Sequence, residues 1–195
     1  VVGLNGDVVQ LVPEEKRAWH AGISLWREFE NLNHNSIGIE ISSLSMGQEP
    51  YSEKQIKSVM ELCQEIIKRH QIPARNVVGH SDIAPTRKPD PGVAFPWKLL
   101  AENGVGLWYD LQDAEKIAEN NPEILLKRIG YNTENLPAAM TAFCRHFIPQ
   151  EVEIKQDIHT LLQYPFNENF STDEKYLPIL KACCAAYQEN ARQKI

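Results

Sequence analysis

His80, Lys88 and Asp90 lie within eleven residues of one another, in the run from Val78 to Gly92 that also holds Pro85, Pro89 and Pro91. An imidazole nitrogen and a carboxylate oxygen suit zinc, and an open fourth position would make such a zinc catalytic. Lys88, two residues before the carboxylate, is an electrophile placed to meet a developing oxyanion. The prolines predict a loop rather than a helix. Spacing alone leaves two readings of that loop: a metal site, or a surface segment with a capping histidine and solvated charges.

Several elements must position these residues. A short strand over Arg75 to Gly79 would deliver His80 at its carboxyl end, where open α/β sheets place ligands. Ile37, Ile39 and Ile41 alternate across Ser36 to Ser42, which predicts a second, buried strand. On it Glu40 faces away from the isoleucines, either into a cleft or simply into solvent. Residues 1–4 read as a strand turning at Asn5-Gly6 into Val8 to Val12. Ser52-x-x-Gln55 is a helix-capping pattern, followed by Ile56, Val59, Met60, Cys63, Ile66 and Ile67 along one face. Gln71-Ile72-Pro73 ends that helix, and Pro96 in the first turn opens another reaching Glu102.

After Gly104-Val105-Gly106 the pattern becomes helical: Asp113 to Asn120, Pro122 to Ile129, Pro137 to Phe147, Ile154 to Leu162, and a last amphipathic helix starting near Pro178. The 195-residue chain is 43% hydrophobic, enough for a packed core, and no stretch approaches the roughly 20 apolar residues of a membrane span. A net charge of −6 argues against nucleic acid as a partner. Cys63, Cys144, Cys183 and Cys184 form no CxxC pair, and Cys63 and Cys144 fall at core positions of helices. Nothing matches the His-Glu-x-x-His pattern of helical zinc proteases.

Gly79-His80-Ser81-Asp82-Ile83-Ala84-Pro85, followed by Arg87-Lys88-Pro89-Asp90-Pro91-Gly92, closely resembles the zinc-dependent N-acetylmuramoyl-L-alanine amidases of the type-2 class, relatives of the peptidoglycan recognition proteins. Arg17-Ala18-Trp19-His20-Ala21-Gly22 looks like that family's substrate-groove segment, and Asn35-Ser36-Ile37-Gly38-Ile39-Glu40 like the strand carrying its general base. The resemblance implies His80 and Asp90 as zinc ligands, Lys88 as the oxyanion partner and Glu40 as the general base. The third ligand, a histidine, is expected upstream of Val1. The reaction implied is hydrolysis of the amide joining N-acetylmuramic acid to L-alanine in peptidoglycan or muropeptides. The alternative is a non-catalytic peptidoglycan-binding protein on the same scaffold.

Trp19 either lies against a sugar or stem peptide or fills the core. Ala18, Asn35 and Arg87 join it as groove candidates, with Asn35 and Asp82 more suited to fixing loop geometry. His20 either supports a neighbouring ligand or is a hydrogen-bonded strand histidine. The expected fold is an α/β amidase domain, a mixed sheet flanked by helices, over residues 1–103 with its N-terminal part missing. A small all-α domain follows over residues 107–163, resembling a peptidoglycan-binding module, and residues 164–195 form a helical extension. Glu30-Asn31-Leu32-Asn33, where the cytosolic branch of the family carries an arginine, favours the periplasm over the cytoplasm, with membrane contact only through a lipid anchor outside this chain.

Overall fold

A computed structural model of the chain describes residues 1–154, 157–163, 165–170 and 172–192. Ser52 caps helix α1 (Glu53–His70), its side chain accepting from Gln55 N, and Gln71 ends the helix in a left-handed conformation. Ile56, Val59 and Ile66 bury one face. Ile56 and Val59 join Val2, Phe95, Trp97, Leu100 and Val105 in the smaller of two apolar clusters.

The expected hairpin is present in shortened form. Val1 and Val9 exchange backbone bonds, Gly3 N donates to Asp7 O, and the turn runs through Gly6 at φ 83°. Pairing stops at Val9, and Leu11 and Val12 are exposed. On its other side Val2 pairs in parallel with Ile41, so Val2 N donates to Glu40 O and Ser42 N to Val2 O. These are isolated bridges, and the strand pair among the described residues is β1 (Leu25–Trp26) with β2 (Phe29–Glu30). The fold is mixed α/β, with far less sheet than the alternating sequence predicts.

Two further expectations change around the histidine loop. Arg75 to Gly79 is not a strand. Pro73 O accepts from Asn76 N and Ala74 O from Val77 N, which winds Ala74–Asn76 into a 3-10 turn before an extended Val77. His80 then opens a single helical turn, α2 (His80–Ile83). The residues ahead of Pro85 suffice for one turn, so the proline-rich loop contains a short helix after all. Helix α3 (Trp97–Glu102) has Pro96 at its N-cap, just outside the first turn.

Beyond residue 106 the helices are α4 (Pro122–Ile129), α5 (Leu136–Phe147), α6 (Ile158–Gln163) and α7 (Leu177–Arg192). The segment expected as a helix from Asp113 is a 3-10 stretch, Leu111–Lys116, capped by the Asp110 carboxylate on Gln112 N. Helix α6 starts later than Ile154 because Asp157 caps it, accepting from Thr160 N at 2.8 Å; residues 155 and 156 lie outside the described residues. Helix α7 packs against α4 and the 111–116 stretch. Leu180, Cys183, Cys184 and Tyr187 from α7 share the larger core cluster with Trp26, Leu32, Ile83, Leu125 and Phe143. One core thus joins both sequence regions, with the buried Trp26 at the seam: its indole donates to Arg75 O and its ring meets Tyr131 and Tyr187 edge-on.

Candidate active site

Turn α2 and the loop after it bring His80 and Asp90 together. Ser81 N donates to Asp90 O at 2.8 Å, closing the ten-residue loop at the backbone. The His80 Nδ1 atom then lies 3.0 Å from Asp90 Oδ2, and its Nε2 lies 3.0 Å from Ala21 O. Burial would raise the Asp90 carboxyl, but the His80 hydrogen bond and charge, with Lys88 adding a smaller pull, leave it below the usual aspartate value. Lys88 is half-buried in the same loop, its backbone N donating to Ala84 O.

The groove segment closes over this loop from the other side. Asn33 Oδ1 accepts from both His20 N and Ala21 N, at 2.9 and 2.8 Å, and so fixes the Ala21 carbonyl that His80 meets. Arg87 Nη2 reaches the carbonyls of Ala21 and Ile23, so part of its guanidinium anchors the groove instead of facing substrate. His20 lies in irregular chain, not in a strand, with Nε2 3.4 Å from Ser36 Oγ. Burial lowers its pKa, with smaller influences from His80, which lowers it further, and from Ser36 and Glu40, which raise it. Glu40 is exposed while Ile37, Ile39 and Ile41 are partly buried, so the alternation read from sequence holds without a regular strand. Trp19 is 78% exposed, which removes its core reading; Arg17 stacks over its ring at 4.2 Å. Asn35 is exposed after the 3-10 turn Leu32–His34, its N donating to Leu32 O. Ala18 is half-buried beside Trp19.

Residues 1–93 match the N-acetylmuramoyl-L-alanine amidase family Amidase_2. The chain is 38% identical over 174 residues to N-acetylmuramoyl-L-alanine amidase AmiD of Escherichia coli, covering 77% of this chain and 63% of that protein. It is 47% identical over 93 residues to the 1,6-anhydro-N-acetylmuramyl-L-alanine amidase AmpD of Enterobacter cloacae, covering 48% of this chain and 49% of that one. A solved structure of E. coli AmiD, in complex with the substrate anhydro-N-acetylmuramic acid-L-Ala-D-gamma-Glu-L-Lys, superposes with a TM-score of 0.73 at 34% identity, over 92% of this chain and 73% of that one. AmpDh3 of Pseudomonas aeruginosa superposes with a TM-score of 0.70 at 33% identity, over 90% of this chain and 71% of that one. The chain belongs to the N-acetylmuramoyl-L-alanine amidase family. It spans between about half and just under two thirds of the length of the curated relatives it matches.

Members of this family are generally zinc-dependent, and the geometry suits that ion. A carbonyl only accepts, so the His80 Nε2 facing Ala21 O carries the proton. Nδ1 is then the nitrogen that faces Asp90: protonated it donates to the carboxylate, and with that proton released the imidazole nitrogen and the carboxylate would be two ligands of the kind zinc takes. A metal-binding histidine commonly donates its other N–H to a backbone carbonyl in this way. Among the described residues no group of three or more His, Cys, Asp or Glu side chains converges, so this pair alone is in place.

Sequence reasoning missed the partners that orient the site. The Ala21 carbonyl has no signature in a sequence, because any residue supplies one. Asn33 could have been noticed as a buried amide beside the groove motif. His146, a lone histidine within the apolar helix α5, was the clearest signal of such a partner: it is buried and bonds Asp82, 2.8 Å from Nδ1 to Oδ2.

Proposed function

We propose that this chain is a zinc-dependent N-acetylmuramoyl-L-alanine amidase that hydrolyses the amide between N-acetylmuramic acid and L-alanine in peptidoglycan or muropeptides. The observation that carries the reading is the convergence of His80 Nδ1 and Asp90 Oδ2 at 3.0 Å beneath the Ala21 carbonyl. His80 and Asp90 would hold the zinc, with a histidine upstream of Val1 as third ligand. When bound, zinc lowers the pKa of water toward roughly 7 and supplies a nucleophile near neutral pH.

Glu40, exposed on the segment whose Gly38 lies against the His20 ring, takes the proton of the attacking water and passes one to the leaving amine of L-alanine. Lys88 meets the negative oxygen that develops on the scissile carbonyl, a contact whose loss typically costs on the order of 10²–10³ in rate. Trp19 offers an exposed ring to the sugar or stem peptide, and Arg87 holds the Ala21–Ile23 segment beside it. AmiD takes an anhydro-muramyl peptide, so that compound is the first substrate to offer this chain. Residues 107–163 serve as a helical unit toward peptidoglycan, and the protein works in the periplasm.

The test measures zinc content together with release of stem peptide from anhydro-muramyl tripeptide, on this chain and on one extended upstream. Stoichiometric zinc and cleavage that Glu40→Gln abolishes support the amidase. Muropeptide binding with neither zinc nor cleavage in both forms overturns it in favour of a peptidoglycan-binding protein.

A further inference from the structure

Asp82 is fully buried one turn from the site, and three donors from different places converge on it. Gly79 N donates to Oδ2 at 2.7 Å, Tyr131 OH to Oδ1 at 2.8 Å, and His146 Nδ1 to Oδ2 at 2.8 Å. The His146 ring is clamped between Trp97 and Phe147, with centroids at 4.0 and 4.1 Å and nearly parallel planes. Tyr131 is itself held edge-on by Trp26 and Phe143. Two of the three donors therefore come from the helical region after residue 106, and both have their rings fixed by the core.

Helix α2 is one turn long, too short to hold its own geometry in water. Its pitch and rotation must be imposed from outside, and Asp82 is the handle by which that is done. His80 and Asp82 sit on the same turn, so rotating the turn about its axis to relax Asp82 would swing the His80 ring away from Asp90 and Ala21. A buried carboxylate that loses a donor is strongly penalised, so the turn cannot move while Tyr131 and His146 stay in place.

We propose that Tyr131 and His146 are positioning residues for the His80–Asp90 pair: through Asp82 they lock turn α2 so that the imidazole meets Ala21 O with one nitrogen and faces Asp90 with the other. The helical region is by this account part of the hydrolytic site's scaffold. The metal-binding consequence rests on the amidase reading above, whereas the positioning of the ring does not.

The test compares Tyr131→Phe, His146→Leu and His146→Asn with Met140→Leu, a core change on α5 that removes no donor to Asp82, in the protein well below each melting temperature. Two readouts are taken. In metal-free protein, the NMR signal of the His80 Nε2 proton, sheltered by Ala21 O, is expected to shift or vanish in Tyr131→Phe and His146→Leu. It is expected to persist in Met140→Leu and to return partly in His146→Asn, whose amide replaces the Nδ1 donor. By competition with a chelator, zinc affinity is expected to fall in the first two variants by about tenfold or more, as for other groups that orient a metal ligand. An unchanged His80 signal in both, or an equal change in Met140→Leu, overturns the positioning role. Failure of the unaltered protein to bind zinc, with the His80 signal still sensitive to Tyr131→Phe, overturns the metal reading alone.

Discussion

The ring of His20 lies so close over Gly38 that a methyl group on Gly38 would sit 2.5 Å from His20 Cγ and 2.6 Å from Nδ1. Two of the motifs that point to this family therefore meet in space, and a glycine is required where they touch. His20 cannot retreat freely, because its backbone N is bonded to Asn33 and its Nε2 faces Ser36.

Gly38→Ala must displace either the ring or the backbone leading to Glu40. Overpacking of this kind typically costs about 1–3 kcal/mol. The greater effect falls on activity, since a misplacement of about 1 Å in a catalytic group can cost roughly 10²-fold. Stem-peptide release should drop by that order while the thermal melt shifts by only a few degrees. A fully active Gly38→Ala protein would show that the His20–Gly38 contact has no bearing on Glu40.

Trp26→Ala tests whether the two sequence regions fold as one. The indole is 1% exposed, donates to Arg75 O and contacts Tyr131 and Tyr187 from the helical region. Its removal should cost about 3–5 kcal/mol and lower the unfolding midpoint of the whole protein in one cooperative step. Two separate transitions, with one left unmoved, would mean that residues 1–103 and the helices unfold independently.

Local signals in the sequence were legible where one residue or one period decides the outcome. Ser52 and Gln55 fix the start of α1, Pro122 that of α4, and the isoleucine alternation gives the orientation of Glu40. His80 and Asp90 were legible as a pair and do converge. Illegible were features set by partners distant in sequence. Whether Arg75 to Gly79 extends as a strand depends on a neighbour to pair with, and among the described residues none pairs with it, so the turn from Pro73 prevails. Asp82 gives no local hint that Tyr131 and His146, 49 and 64 residues away, complete its hydrogen bonds.

Glu14 should make stability fall on acidification. Its carboxylate takes two hydrogen bonds from Arg69, at 2.9 and 2.7 Å, and faces His70 Nε2 at 2.6 Å. Arg69 chiefly, then His70, hold its pKa at about 2 against an ordinary 4.5. A carboxyl depressed in the folded state stabilises fully above its ordinary value, and that contribution drains away as pH falls from there toward the folded value. Urea unfolding should therefore separate the natural protein from Glu14→Gln near pH 6 and bring them together as the pH approaches 2. Because the pair is exposed, about 1 M salt should shrink the gap near pH 6 as well. A gap that persists at low pH would assign the effect of Glu14 to packing.

The cysteines offer a probe of the native core. All four are free. Burial pushes the Cys63 thiol up to about 11 and that of Cys144 to about 12, and it raises Cys183 and Cys184 too. The thiolate is the reactive form, and a thiol of pKa 11 is ionised at pH 8 in only about one molecule in a thousand. Native protein at pH 8 should thus react slowly with a disulfide reagent, Cys63 first because it alone is half-buried. All four should react promptly once guanidinium unfolds the chain. Rapid labelling of Cys183 or Cys184 in the native protein would mean that α7 leaves the shared core readily, and that the helical region is not the rigid support on which Tyr131 and His146 depend.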